Sequence, residues 1–384
     1  MIFGGFKMYQ EYFSEEHNIL RDSVRRFVDK DIKPYVEEWE DEGIFPRELY
    51  KKAGDAGYLG LEYPEELGGT PADKFMFVTY VEELVRSGSL GVSIGLSTHH
   101  ICMPHILKLG TEEQKKRFIV PVLKGEKIGA LGVTEPNAGS DVANIITRAV
   151  RDGDQYVVNG SKTFITSGTR ANFITTAVRT GGPGHKGVSL LVIDSASPGF
   201  KVAKKLRKMG WNASDTAELS FEDCRVPVEN LLGREGDGFK GLMVNFQNER
   251  LELAVTAHAC AQLALEESIK YAKSREAFGK PIAAMQVIAH KLADMATRVE
   301  VAKEFNYRVA AKMDAGMDAT KEVSMAKNFA CEACDKVVFD AVQIHGGYGY
   351  SQEYLVERLY RDSRILSIGG GTTEIMNEVI SKMI

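Results

Sequence analysis

The sequence predicts an α+β protein made of three successive parts, which are helical, then β, then helical again. Apolar residues recur at helical spacing in the first and last thirds, whereas the middle third has short β-branched runs cut by Gly, Asp and Asn. The chain has 384 residues, of which 44% are apolar, and one hydrophobic core rarely serves a chain of this length. We therefore expect domains at residues 1–125, 126–235 and 236–384.

The first part has the pattern of a wholly helical domain. Val24, Phe27 and Val28 fall on one helical face, and Glu, Lys and Arg fill the positions between such apolar residues. Thr111 precedes two glutamates, and a threonine followed by acidic residues is typical of a helix start. One helix is therefore predicted to start at Thr111 and to end near Val122.

The middle part has the pattern of short strands. Residues 150–158 form a predicted hairpin, because Asp152-Gly153 supplies the positive φ angles that a tight turn needs. Runs at residues 173–178 and 188–193 predict two further strands, joined by the glycine-rich loop 181–184. Strands this short and closely spaced favour an antiparallel barrel or a sandwich over a βαβ unit.

The last part returns to helical periodicity in longer stretches, at residues 255–272, 287–315 and 320–346. Long helices that pack antiparallel form a bundle. The sequence therefore predicts a helical bundle as the C-terminal domain.

Composition excludes several classes of protein. Lys and Arg number 48 and Asp and Glu 53, and the resulting net charge of -5 is spread along the chain, so nucleic acid is not an expected ligand. No run of 18 apolar residues predicts a membrane helix, and residues 1–8 lack the features of a signal or transit peptide. Five scattered cysteines are typical of a reducing compartment. A cytoplasmic location is therefore the default expectation, although a mature protein of the mitochondrial matrix would have the same features.

One polar loop has the composition of a ligand site. No G-x-G-x-x-G opens a βαβ unit and no P-loop is present, so a dinucleotide would need another kind of site. In the loop 134–141, Pro136 restricts φ, Gly139 permits close approach of a ligand, and Thr134 and Ser140 offer hydroxyls. Such a loop, taken alone, more often has a structural role.

Three other features have residue types that occur at binding sites. The Arg275 guanidinium could bond two oxygens of a diphosphate, although a lone arginine at a helix end is more often a surface residue. Cys331 and Cys334 form C-x-x-C without a second pair at zinc spacing, so core packing is expected and no metal site. A direct substrate role for His99 and His100 is the minority interpretation.

Five separated segments together resemble the acyl-CoA dehydrogenase family of flavoproteins. They are VTEPNAGSD at 133–141, KTFITSG at 162–168, FQNERL at 246–251, REAFGK at 275–280 and IGGGTTEI at 368–375. The resemblance covers essentially the whole chain. It implies an N-terminal helical domain, a middle antiparallel β-barrel and a C-terminal four-helix bundle. It also implies that FAD lies between the β domain and the bundle and touches a neighbouring subunit.

The resemblance implies a relocated catalytic base. Most members of the family have the catalytic glutamate where this chain has Gly370, but a smaller branch, including the isovaleryl-CoA and long-chain acyl-CoA dehydrogenases, has it where this chain has Glu249. Glu249 is therefore the expected base, and burial at the edge of an apolar helical face would raise its pKa toward the working pH. Glu374 is the rival carboxylate and ranks behind it.

The expected reaction is FAD-dependent α,β-dehydrogenation of an acyl-CoA thioester to the trans-2-enoyl-CoA. In this reaction Glu249 takes the α proton and hydride passes to flavin N5. The implied FAD contacts are Leu131, Val133, Thr134, Gly139, Ser140, Phe164, Ile165, Thr166, Arg275, Phe278, Gln286, Gln343, Gly346, Gly347, Thr372 and Glu374. The implied substrate contacts are Ser140, Phe246, Arg250, Gly370 and Gly371.

The family also implies partners and a pathway. These are a homotetramer, electron-transferring flavoprotein as the electron acceptor, and fatty acid β-oxidation. Two alternatives remain at this point: an acyl-CoA oxidase or flavin monooxygenase of the same fold, and a flavin-binding protein without catalysis. Glu249 is the feature against the second.

Overall fold

The computed structural model describes residues 12–384. The expected lack of a signal or transit peptide concerns residues 1–8, which lie outside the described residues. The predicted order of helical, β and helical parts is confirmed, because a group of helices precedes one eight-stranded sheet and long helices follow it.

The N-terminal part is helical, as predicted. Its helices are α1 (Glu15–Asp31), α2 (Val36–Glu42), α3 (Glu48–Asp55), α4 (Lys74–Val85), α5 (Leu90–Ser97), α6 (His99–Cys102), α7 (Pro104–Leu109) and α8 (Glu112–Leu123). The start of α8 at Thr111 is confirmed by a capping box. The Thr111 hydroxyl accepts from the Gln114 amide, and the Gln114 side chain accepts from the Thr111 amide.

The middle part is a single sheet with mainly antiparallel pairings. Its strands are β1 (Gly129–Gly132), β2 (Arg148–Asp152), β3 (Gln155–Thr166), β4 (Phe173–Arg179), β5 (Val188–Asp194), β6 (Phe200–Lys205), β7 (Thr216–Pro227) and β8 (Leu231–Leu232). The order is β6-β7-β3-β2-β4-β5-β8, with β1 parallel beside β4 and a short parallel contact between β2 and β4. The predicted hairpin joins β2 to β3 and turns at Gly153, whose φ is +64°.

The C-terminal part consists of long helices, as the periodicity predicts. These are α9 (Gly238–Ser274), α10 (Gln286–Asp314), α11 (Thr320–His345), α12 (Leu355–Ser363) and α13 (Thr373–Ser381), and a small hairpin of β9 (Glu276–Ala277) and β10 (Lys280–Pro281) joins α9 to α10. Alanines on α9 and α11 allow these helices to pack closely, and Cys331 and Cys334 are buried in the same core. Within residues 12–384, no helix combines the length and apolar character that a membrane crossing requires.

Helix α9 is the element that joins the three parts. It packs against α10 and α11 within the bundle, against α4, α6 and α7 of the N-terminal part, and against β5 of the sheet. A side chain on the first turns of α9 therefore lies where all three parts meet.

Candidate active site

Glu249 lies on α9 directly beside the loop that contains Gly370. A Cβ atom added to Gly370 would lie 3.5 Å from both Cγ and Oε1 of Glu249. The two residues are far apart in the sequence, and the loop between α12 and α13 brings them together. The Glu249 carboxylate therefore lies directly beside the point from which a side chain at position 370 would extend.

The surroundings of Glu249 suit a proton acceptor. Burial raises the pKa of the Glu249 carboxyl above the usual glutamate value, although the positive charges of Lys327 and Arg250 act in the opposite direction. Among the described residues, no hydrogen bond contributes to the pKa of this carboxyl. The carboxylate is thus partly desolvated and available to a proton from a ligand.

Lys327 on α11 is a residue of this site that the sequence analysis missed. Its side chain is fully buried, and its Nζ donates a hydrogen bond of 2.8 Å to the Gly371 carbonyl. Burial lowers the pKa of Lys327, while the Glu249 carboxylate favours the charged form. The sequence signal that could have identified Lys327 as a site residue is a lysine on the apolar face of a predicted helix.

The loop at Gly370 and Gly371 has backbone angles that glycine adopts without strain. The φ angles are +62° and +97°, in the region that disfavours residues with a Cβ atom. The Thr372 hydroxyl accepts a hydrogen bond of 3.3 Å from the Ile375 amide and caps α13. The Lys327 bond therefore ties the loop to α11, and the Thr372 cap fixes where α13 begins.

Glu374, the rival carboxylate, lies in the first turn of α13 and is exposed to solvent. Hydrogen bonds from its own backbone amide and from Thr372 lower the pKa of its carboxyl. A solvated carboxylate with a lowered pKa is a weaker proton acceptor than one that is buried. The exposure and lowered pKa of Glu374 therefore favour Glu249 over Glu374 as the base.

The polar loop 134–141 is fixed by a buried ion pair that the sequence analysis also missed. Lys162 Nζ donates to Glu135 Oε1 at 2.7 Å and to the Val133 carbonyl at 2.9 Å. The Glu135 carboxylate also accepts from the amides of Ile146 and Thr147, at 2.6 and 3.0 Å. Burial lowers the pKa of Lys162 to about 8, although Glu135 opposes the shift. These bonds fix the start of the loop at Val133 and Glu135, whereas its tip at residues 139–141 is exposed.

The tip of this loop has room for a ligand. A Cβ atom added to Gly139 would meet nothing within 4 Å, and Ser140 beside it is exposed. Thr134 and Leu131 are partly buried, and Val133 is buried in the core beneath. The hydroxyls of Thr134 and Ser140 can reach a bound molecule. The Val133 side chain is in the core, so only its backbone is available for the predicted FAD contact.

The strand segment next to this loop exposes an aromatic ring. Phe164 has φ +60° and a side chain that is 68% exposed, because β3 is irregular between Lys162 and Ile165. Thr166 is partly buried at the end of β3. The Ile165 side chain packs inside the sheet, so only its backbone is available for the predicted flavin contact. An exposed ring beside hydroxyls and an open glycine fits the flat ring of a flavin.

The predicted adenosine-side residues lie on the surface of the bundle. Phe278 is 95% exposed with φ +52°, and Arg275, Gln286 and Gln343 are also exposed. Gly346 and Gly347 are exposed as well, and Cβ atoms there would meet nothing within 4 Å. The Arg275 guanidinium lies 5.8 Å from the Tyr348 ring. This surface is open in the single chain.

The predicted substrate residues on α9 lie around Glu249. Arg250 is buried and its guanidinium is 5.8 Å from the ring of partly buried Phe246. His99 and His100 are buried in α6 of the N-terminal part with ring centroids 4.1 Å apart. Burial lowers the pKa of His99 to about 4 and that of His100 also well below its usual value. Both histidines are therefore neutral at pH 7.

Three family models match consecutive parts of the chain. They describe the acyl-CoA dehydrogenase N-terminal domain at residues 14–126, the middle domain at 130–224 and the C-terminal domain at 236–384. These matches and the fold define an FAD-dependent oxidoreductase. The chain belongs to the acyl-CoA dehydrogenase family, whose general reaction is the dehydrogenation of acyl-CoA thioesters. The predicted fold class is thereby confirmed.

Similar proteins match over nearly the full chain. An acyl-CoA dehydrogenase of Bacillus subtilis is 43% identical, over 97% of this chain and 98% of its own length. The structure of a probable acyl CoA dehydrogenase from Mycobacterium abscessus is 54% identical with a TM-score of 0.96, over 97% and 99%. That of a Bacillus anthracis acyl-CoA dehydrogenase complexed with FAD is 33% identical with a TM-score of 0.92, over 97% and 67%.

Two further relatives have more specific names. The mitochondrial long-chain specific acyl-CoA dehydrogenase of Sus scrofa is 40% identical, over 97% of this chain and 87% of its own length. The caffeyl-CoA reductase-Etf complex subunit CarC of Acetobacterium woodii is also 40% identical, over 97% and 99%. Similarity at this level therefore spans proteins with different substrates.

Proposed function

We propose that the protein converts an acyl-CoA thioester to the trans-2-enoyl-CoA, with Glu249 as the base that removes the α proton. The observation that supports this proposal is the position of the Glu249 carboxylate against Gly370. Most members of the family have the base at the position that corresponds to residue 370. In this chain that residue is a glycine, and the Glu249 carboxylate of α9 lies beside it. The arrangement favours the branch that includes the long-chain and isovaleryl-CoA enzymes.

The surroundings of Glu249 suit its protonation state before and after the proton transfer. Lys327 and Arg250 favour the ionised carboxylate before the reaction. Burial favours the neutral acid that forms when the α proton arrives. The backbone amides of the loop at Gly370 and Gly371 are the donors that we assign to the thioester oxygen, where negative charge develops.

We assign the flavin ring to Thr134, Ser140, Phe164 and Thr166, and the adenosine end to the exposed surface at Arg275 and Gln343. When bound, FAD supplies the acceptor for the hydride from the β carbon. The loop 134–141 positions its hydroxyls because the Lys162–Glu135 pair holds its base. Closure of the site around an acyl thioester excludes water from the Glu249 carboxylate.

The exposed surface of the bundle supports a homotetramer. Phe278, Val287, Phe339 and Tyr350 are large apolar side chains of the C-terminal part with 50% to 95% exposure in the single chain. A neighbouring subunit there would cover the surface next to Arg275. We propose electron-transferring flavoprotein as the electron acceptor, supported by the name of the CarC relative, and a cytoplasmic role in fatty acid β-oxidation.

The purified protein is expected to be yellow, with one FAD per subunit. Adding acyl-CoAs of graded length and branching under anaerobic conditions should bleach the flavin band, because substrate oxidation reduces the cofactor. Absorbance spectra before and after each addition measure this. A preparation that gains no flavin spectrum on addition of FAD, or whose flavin no acyl-CoA bleaches, would refute the proposed function.

Replacing Lys327 with Met is expected to shift the acidic limb of the pH profile of kcat/KM to higher pH. Glu249 works as a base only when ionised, so activity falls as pH drops through its pKa. Lys327 lowers that pKa, so its removal raises it. The lost bond to the Gly371 carbonyl should also destabilise the fold by about 1–3 kcal/mol.

The matched control for Lys327→Met is Lys336→Met on the same helix, where the half-exposed lysine pairs with Asp340 at 3.3 Å. Its pH profile should match that of the wild type. Identical acidic limbs in the two variants would show that Lys327 does not act on the base.

A further inference from the structure

Glu135 is a buried carboxylate at the start of the polar loop, and it accepts hydrogen bonds from the far end of the same chain segment. The residue is 3% exposed. Its oxygens accept from the Ile146 amide at 2.6 Å, from the Thr147 amide at 3.0 Å and from Lys162 Nζ at 2.7 Å. The segment 136–145 therefore begins and ends at this one carboxylate.

The start of the segment is fastened to β3. Lys162 Nζ donates to the Val133 carbonyl at 2.9 Å. The Thr163 amide donates to the Thr134 carbonyl, also at 2.9 Å. Lys162 and Thr163 directly precede Phe164, which we assign to the flavin ring. The backbone at Thr134 is thus held beside strand residues of the same proposed site.

The end of the segment is fastened to the same strand. The Thr147 hydroxyl donates to the Ser161 carbonyl at 3.1 Å. Gly160 permits this close approach, because a Cβ atom at that position would lie 2.7 Å from Thr147 Cα. The φ angle of Gly160, +147°, also favours glycine. The two ends of the segment therefore meet at neighbouring residues of β3.

Between these fixed ends the segment is open to solvent. Pro136, Asn137 and residues 139–141 are exposed, and a Cβ atom added to Gly139 would meet nothing within 4 Å. A ligand that binds the tip therefore meets side chains whose positions depend on the two ends. Loops that bind ligands commonly project from a fixed scaffold in this way.

Three donors from separate parts of the chain require an ionised carboxylate as their common acceptor. Its two oxygens can accept all three bonds, whereas a glutamine offers one oxygen and would turn its NH₂ group towards a donor. A buried ion pair often adds no more stability than apolar residues of the same size, because both charges lose their water. Stability alone therefore does not explain the pair of Glu135 and Lys162, whereas the geometry that it imposes on the segment does.

We propose that Glu135 is a positioning residue for FAD. By holding both ends of the segment 136–145, it places the hydroxyls of Thr134 and Ser140 before the cofactor binds. This inference rests on the proposed function, because it uses the flavin contacts assigned there. Ordering a mobile loop on binding costs affinity, and a loop that is ordered beforehand avoids this cost. The carboxylate acts through the loop and not by contact with the cofactor.

The test measures how firmly the FAD-loaded protein retains its cofactor. Glu135→Gln keeps the length of the side chain and removes its charge, whereas Glu135→Asp keeps the charge and withdraws it by one methylene group. Dilution of each holoprotein and recovery of free-flavin fluorescence give the dissociation rate of FAD. The visible circular dichroism of the bound flavin reports the surroundings of its ring, and a melting curve gives the stability.

The matched control is Glu83→Gln in the N-terminal part. Glu83 is a buried carboxylate of α4 that pairs with Arg25 at 2.7 Å and with Arg21 at 3.2 Å, both on α1. Its loss should lower the melting temperature, because it leaves buried charge without its partner. The dissociation rate of FAD and the circular dichroism of the flavin should stay close to those of the wild type.

Both Glu135 variants should release FAD about tenfold faster or more, the effect on an affinity of roughly one residue that must be ordered on binding. The circular dichroism of their flavin should also change. If neither variant folds, Thr147→Val, which loses only the bond to Ser161, should still release FAD faster than the wild type. Release at the wild-type rate with unchanged circular dichroism overturns the inference, and so does an equal effect in Glu83→Gln. A wild-type flavin that no acyl-CoA bleaches would instead overturn the proposed function.

Discussion

Glu249→Gln is expected to retain FAD and bind acyl-CoA, yet to reduce its flavin more slowly by on the order of 10²-fold or more, the lower end expected for loss of a general base. Glutamine has nearly the shape of glutamate, so the contact with Gly370 is preserved. Its amide cannot accept the α proton. Stopped-flow bleaching measures the effect directly, because the reductive step is separated from electron transfer to the acceptor.

Glu374→Gln is the matched control for this experiment. Glu374 is exposed in the first turn of α13, and the same substitution there removes a solvated charge. Its flavin should be reduced at nearly the wild-type rate. Near-wild-type reduction by Glu249→Gln would rule out the assignment of the base, and a large loss in Glu374→Gln would transfer the role to the rival carboxylate.

Gly370→Ala is expected to destabilise the protein and to slow flavin reduction. A Cβ atom at this position would lie 2.5 Å from Leu253 Cδ1, and the φ of +62° is unfavourable for alanine. A residue other than glycine in such a conformation costs about 1–3 kcal/mol. Relief of the contact moves the loop or Glu249, and a displacement of about 1 Å at a reacting group can cost about 10²-fold in rate.

Gly369→Ala provides the control for this substitution. A Cβ atom at Gly369 would meet only the Ile365 carbonyl oxygen, at an ordinary contact distance of 3.6 Å. The melting temperature and the rate of flavin reduction of Gly369→Ala should therefore be close to those of the wild type. Both quantities should be clearly lower for Gly370→Ala. Equal stability and equal rates in the two variants would contradict the tight packing inferred for the loop.

The same geometry accounts for a glycine at position 370 beside Glu249, the residue that we propose as the base. Leu253 and Glu249 lie one turn apart on α9, and both approach the point where a side chain at position 370 would start. A larger residue there would compete with the leucine methyl group and with the carboxylate. The space at Gly370 and the acid at Glu249 are therefore parts of one arrangement.

Much of the fold was predictable because it depends on local patterns. Apolar spacing distinguishes helix from strand within a few turns, and this correctly placed the helical, β and helical parts. The start of α8 at Thr111 and the turn at Gly153 also depend on neighbouring residues only. The candidate base was predictable in a different way, from segments that resemble those of a known family.

The sequence by itself determined the order of the parts, the family and the residue proposed as the base. Only the tertiary structure decided which distant residues surround that base. The Lys327 bond to the Gly371 carbonyl and the Lys162–Glu135 pair are contacts between different elements of the fold. A sequence pattern shows which residues share a helix face or a strand, but the desolvation and charge at a buried site depend on what other elements place there.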